Sequence, residues 1–202
     1  RWEHERRGLI PPSEFIPVFE KSEKILKLDL YVFTQVCRWQ GDRMERGEPL
    51  IPVSVNLSRR HFQRPGCLEP FEEEARRCAI PRGLLEFELT ESIFFDDRSI
   101  EDMKDWIGQM HRMGFLCSLD DFGSGYSSLG LLASFRVDAV KLDRRFFQDV
   151  SDPRVKSVVA SVTALSEKLG AVTVAEGIED EKQLAFARET GCSMVQGYCF
   201  SR

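Results

Sequence analysis

From residue 85 onward the chain repeats one pattern: a short apolar run, a polar step at its end, then a longer amphipathic segment closed by glycine. The apolar runs are 85–90, 115–119, 139–143, 171–175 and 194–200, and an earlier one covers 51–57. Between them, residues 100–113, 155–169 and 181–190 carry helical periodicity and stop at Gly114, Gly170 and Gly191. Short helical stretches are also expected at 71–78 and 128–134, and two helical pieces at 12–46, with Ser13 as a cap. Strand–helix alternation of this kind argues for a parallel sheet with helices outside it. Six strands with none before Arg1 fit an eight-fold (β/α) barrel lacking its first strand or strands better than an open sheet.

With 202 residues, 42% of them apolar and 30% charged, the chain has the size and composition of one soluble globular domain. A net charge of −5 argues against bulk nucleic acid or an anionic membrane surface as a partner, since both require a basic face. No apolar run approaches the roughly 20 residues of a membrane span, and no signal peptide opens the chain. The six cysteines lack metal-ligand spacing and the three histidines are scattered, so a zinc site of His/Cys type is not expected. Free thiols in a reducing cytoplasm are the expectation.

Chemistry concentrates at the strand ends. Asp120 and Asp121 follow the run 115–119 and are followed at once by a loop holding two glycines and three serines. Adjacent carboxylates repel, and a divalent cation is the usual compensation. The other runs end in Asn56, Glu88, Asp143, Glu176 and Gln196, while Lys141 lies inside its short run. In a parallel barrel all such ends open on one face, where active sites are built. Asn, Glu and Asp oxygens suit Mg²⁺ or Mn²⁺, and a shared Asp suits a two-ion site. Lys141 then has a task in orienting water or balancing charge on an attacked phosphate. Each residue also has an ordinary alternative: a turn amide for Asn56 or Gln196, a plain strand position for Glu88, a rim-snorkelling lysine for Lys141, a helix cap for Glu176. What argues against the alternatives is their joint occurrence at one end of successive strands.

In order, the segments Ser54-Val55-Asn56-Leu57-Ser58, Glu88-Leu89-Thr90-Glu91-Ser92, Asp120-Asp121-Phe122-Gly123-Ser124-Gly125-Tyr126-Ser127-Ser128, Lys141-Leu142-Asp143-Arg144, Ala175-Glu176-Gly177-Ile178-Glu179 and Gln196-Gly197-Tyr198 resemble the signatures of the EAL domain family of bacterial cyclic di-GMP phosphodiesterases. The resemblance covers essentially the whole chain, 1–202, as one domain. It implies an α/β fold, a (β/α)₈ TIM-like barrel with one reversed strand, and hydrolysis of cyclic di-GMP to the linear dinucleotide with two Mg²⁺ or Mn²⁺ ions.

Carried over by position, the resemblance assigns Asn56, Glu88 and Asp120 to the first ion, and Asp120 with Asp121 to the second. Lys141, Glu176 and Asp121 form the catalytic set around the attacking water. Arg1, Gln196 and Asp143 would contact substrate, and Glu91 would anchor the loop 122–128. The glutamate of the family's Glu-Ala-Leu triplet would lie upstream of Arg1, as would a first strand, so the domain reads as N-terminally incomplete. The resemblance further implies a homodimer, neighbouring sensor or GGDEF domains, and a cytoplasmic location for this domain, with no membrane contact of its own. The competing function is a non-catalytic cyclic di-GMP receptor; a purely structural barrel gives no reason for the polar strand ends.

Overall fold

The computed structural model describes residues 2–91, 93, 100–124 and 129–200. The chain forms two compact units, Arg1–Leu85 and Glu86–Arg202.

In the first unit, β1 (Trp2–His4) and β2 (Gly8–Ile10) form an antiparallel hairpin with Trp2 opposite Ile10. Two three-residue strands carry too little periodicity to be read from sequence, and they were not expected. Helix α1 (Pro12–Glu20) is followed by the long α2 (Lys24–Glu45). Ser13 does not cap α1: extended Pro11 takes that position without a side-chain bond, and Pro12 opens the helix, where its missing N–H costs nothing. On α2 the buried residues Ile25, Asp29, Phe33, Cys37 and Gln40 recur every three or four positions and form one stripe. That stripe packs on α3 (Glu69–Arg77), with the rings of Phe33 and Phe71 edge-on at 5.1 Å. The buried Asp29 carboxylate accepts from the Ser58 amide at 2.9 Å and lies 3.1 Å from His61 Nε2. It thereby ties α2 to the segment after β3 (Val53–Asn56).

The second unit holds β4 (Leu85–Thr90), β5 (Leu116–Phe122), β6 (Ala139–Leu142), β7 (Val172–Ala175) and β8 (Met194–Val195), paired in chain order and parallel throughout. Helices α4 (Ile100–Met113), α5 (Leu129–Ser134), α6 (Pro153–Lys168) and α7 (Glu181–Glu189) alternate with the strands. This is the expected α/β alternation, and the reversed strand implied by the family resemblance is not among β4–β8. Side chains alternate along the strands. Phe87, Leu89, Cys117, Leu119, Val140 and Leu142 are at most 1% exposed, and α4 packs on β5 as α6 does on β7. Each large apolar side chain so buried contributes about 1.5–3 kcal/mol.

Two boundaries differ from expectation in ways that shape the site. The strand β5 runs on through both aspartates to Phe122. By contrast, β8 stops after two residues instead of continuing to Phe200. The chain leaves the ladder at Gln196 because its carbonyl accepts from Ile178 N–H at 3.1 Å, while Cys199 N–H donates to Ile178 O at 3.0 Å. The last stretch thus wraps around the turn after β7 rather than extending. All six cysteines are free, as expected. Among the described residues no helix is long and apolar enough to cross a membrane.

Candidate functional site

The register of β5 against β6 explains how two neighbouring aspartates can serve one site. Ser118 pairs with Ala139 and Leu119 with Val140, but Phe122, not Asp121, pairs with Leu142. One extra residue therefore sits on β5, a β-bulge made by the Asp pair. In a regular strand, successive side chains would point to opposite faces. The bulge, with Asp121 at φ 55°, removes that alternation. Carboxylate oxygens of Asp120, Asp121 and Glu176 come within 4.8 Å of one another. For a non-glycine residue that left-handed backbone is uncommon, and aspartate is among the residues that tolerate it best.

Lys141 sits at the centre. Its Nζ lies 2.8 Å from Glu88 Oε1, 2.8 Å from Asp120 Oδ1 and 2.9 Å from Glu176 Oε1. All four side chains are largely buried, Lys141 most of all. Burial works to discharge the ammonium, but its hydrogen bonds to Asp120 and Glu88 win and hold its pKa well above the ordinary lysine value. This is no rim lysine reaching for water. The same burial raises the Glu176 carboxyl, with Lys141 opposing the rise. Asp121, partly exposed, is also raised, first by burial and then by the charges of Asp120 and Asp143. One ammonium faces Glu88, Asp120 and Glu176, and Asp121 lies beside them, so the cluster carries excess negative charge. An oxygen-only donor set with excess charge fits a hard divalent cation.

Glu176 follows β7 directly, and its N–H donates to Leu142 O at 3.1 Å, which seats it beside Lys141. It does not cap the next helix; Asp180 does, accepting from Lys182 and Gln183 N–H. Asp143 is buried at the end of β6, and its carboxylate accepts from Arg145 N–H at 2.8 Å, capping a 3-10 turn at Arg144–Phe147. Glu91 is buried just past β4. Gln196 is exposed after β8, and Asn56 is exposed at the end of β3 in the first unit. Arg1, Ser92 and the loop residues Gly125, Tyr126, Ser127 and Ser128 lie outside the described residues. The structure therefore brings together Glu88, Asp120, Asp121, Lys141 and Glu176, with Asp143 adjoining.

Sequence reasoning passed over Glu86, which shares a face with Glu88 by strand alternation. Burial raises its carboxyl too. It also missed the 3-10 turn after β6, whose signal was the Asp143 cap preceding Arg144-Arg145.

Comparison with known proteins agrees with the geometry. The family model described as EAL domain matches residues 1–202. The chain is 34% identical over 203 residues to the cyclic di-GMP phosphodiesterase NbdA of Pseudomonas aeruginosa, covering 100% of this chain and 26% of that protein. It is likewise 34% identical over 203 residues to the cyclic di-GMP phosphodiesterase PdeR of Escherichia coli, covering 100% of this chain and 30% of that protein. It thus spans between a quarter and a third of the length of these relatives. Among solved structures, the PaMucR phosphodiesterase in complex with c-di-GMP superposes with a TM-score of 0.90 at 32% identity, over 100% of this chain and 81% of that one. That likeness extends over both units and shows the TIM-barrel-like α/β fold that the strand–helix alternation suggested. With a family match from the first residue to the last, the chain belongs to the EAL domain family.

Proposed function

We propose that this domain is a metal-dependent phosphodiesterase that hydrolyses cyclic di-GMP to the linear dinucleotide pGpG. The observation that carries the reading is the buried Lys141 ammonium shared by Glu88, Asp120 and Glu176, with Asp121 brought alongside by the bulge. The relatives named as cyclic di-GMP phosphodiesterases support the substrate class.

Glu88, Asp120 and Asp121 would hold the cations, with Asp120 shared between two of them, and the Asn56 amide offers the same kind of oxygen donor. Bound there, Mg²⁺ or Mn²⁺ supplies a water of lowered pKa and charge neutralisation at the phosphate. Glu176, whose raised pKa brings it nearer neutrality, accepts the proton of the attacking water. Lys141 keeps its charge throughout, holds Glu176 in place and offers a fixed cation to the phosphate oxygens. Arg1 suits a phosphate oxygen through its guanidinium fork, and Gln196 and Asp143 are the proposed polar contacts to the dinucleotide. A homodimer, adjoining sensor or GGDEF domains and a cytoplasmic location complete the reading.

The test is incubation of the purified protein with cyclic di-GMP and Mg²⁺ or Mn²⁺, with products separated by chromatography. Linear dinucleotide that disappears with chelator is the expected result. Intact ligand that nevertheless binds would overturn catalysis and leave a receptor of the same family. Replacing Glu176 with Gln should lower turnover by about 10²-fold or more while binding persists. Unchanged turnover would remove Glu176 as the base.

A further inference from the structure

The 3-10 turn Arg144–Phe147 touches the two segments that leave Asp121 and Glu176, at Gly123 and at Gly177. On one side, the turn Asp121–Ser124, closed by Ser124 N–H donating to Asp121 O at 3.0 Å, lies against it. Gly123 at φ 96° approaches so closely that a Cβ there would sit 2.1 Å from Cε2 of Phe146. The Arg145 guanidinium donates to Ser124 O, and its Nε lies 3.7 Å from Asp143 Oδ1. On the other side, a Cβ at Gly177 would lie 2.6 Å from Cβ of Arg144, so the loop holding Glu176 rests on the same turn. Asp143 caps the turn from the end of β6.

We propose that Arg144–Phe147 is a positioning brace: Arg145 and Phe146 hold the Asp121–Ser124 turn, Arg144 backs Gly177, and together they present Asp121 and Glu176 to a common cation. The inference rests on the proposed function for its catalytic consequence, though not for its mechanical one. Asp121 needs such help because its left-handed backbone is a sparsely populated state that persists only where the surroundings enforce it. Arginine suits the task where lysine does not. Its planar fork reaches a carboxylate and a carbonyl oxygen at once, whereas an ammonium is a single point charge.

The test compares wild type with Arg145→Ala, Arg145→Lys, Phe146→Ala and, in case the alanine variant fails to fold, Phe146→Leu. Two readouts are used. The first is hydrogen exchange of the Ser124 amide in chelator, which needs neither metal nor activity. The second is the Mn²⁺ concentration giving half-maximal cleavage of cyclic di-GMP. Loss of a partly exposed charge-assisted contact should speed exchange and raise the Mn²⁺ requirement by about threefold to tenfold, with Arg145→Lys between wild type and Arg145→Ala. Melting temperature should stay within about 2 °C of wild type for the Arg145 variants, which separates positioning from general destabilisation. Unchanged exchange in both Arg145→Ala and Phe146→Ala would overturn the brace. Faster exchange with an unchanged Mn²⁺ requirement would overturn its link to the cation. If wild type neither binds nor cleaves the dinucleotide, the proposed function fails while the exchange data still decide the brace.

Discussion

Replacing Lys141 with Met keeps the apolar body of the side chain and removes the terminal ammonium with its charge. Three carboxylates within 2.9 Å would then lose their common partner in a largely buried setting. Breaking a buried ion pair by deleting one member costs about 3–5 kcal/mol, because the remaining charge is stranded. For a domain of about this size each kcal/mol lowers the melting temperature by about 2–4 °C, so the expected drop is roughly 6–20 °C at pH 7 in chelator. The pH dependence has a definite sign. Burial already raises the Glu176 carboxyl, and without the ammonium opposing it the rise is larger. A carboxyl whose folded pKa exceeds its unfolded value stabilises the fold below the unfolded value, and that contribution is lost as pH rises through the folded one. The variant's deficit should therefore shrink as pH falls from 7 toward about 4.5. Millimolar Mn²⁺ at pH 7 should recover part of it by supplying another cation. Thermal melts followed by circular dichroism at both pH values, with chelator and with Mn²⁺, measure all of this. A variant melting within about 3 °C of wild type in chelator at pH 7 would refute Lys141 as the charge that holds the cluster together.

Other consequences are simpler to read. Gly197→Ala should abolish soluble expression or collapse the melting transition, since its Cβ would lie 2.1 Å from Ile178 O and 2.4 Å from Ile178 N; a native-like melt would refute the close approach. Asp180→Ala removes the acceptor for two N–H groups of α7 and should cost about 1 kcal/mol in urea denaturation, with Asp180→Asn nearly neutral. Burial pushes the Cys37 thiol up to about 12 and raises that of Cys117, so neither should be alkylated by iodoacetamide in the native protein at pH 8. Mass spectrometry after a short pulse should find label only elsewhere, and label on Cys37 would show that α2 opens.

The alternation of strands and helices was legible because each buried strand and each amphipathic helix writes its own period. Residues 85–90 and 100–113 have the bounds expected of them. Asp120, Asp121, Glu88 and Glu176 were legible as a set because acids at the ends of parallel strands open on one face, and Lys141, inside its own short run, was the cation among them. What stayed hidden depends on contacts far apart in sequence. The end of β8 is decided by Ile178, whose backbone captures the chain at Gln196 and Cys199. Asp143 read as a substrate contact, and only the fold reveals that its carboxylate caps Arg144–Phe147. Lys141 gave no hint of burial, since a lysine in a short apolar run is as readily exposed. Its three partners come from three other strands or strand ends.

The bulge at Asp120–Asp121 sets sheet regularity against chemistry. Deleting one residue there would restore the even ladder between β5 and β6 and send neighbouring side chains to opposite faces. The product would be a tidier sheet with a single aspartate left where two had been. An engineer idealising this backbone for heat resistance would erase the acid cluster while every measure of strand quality improved.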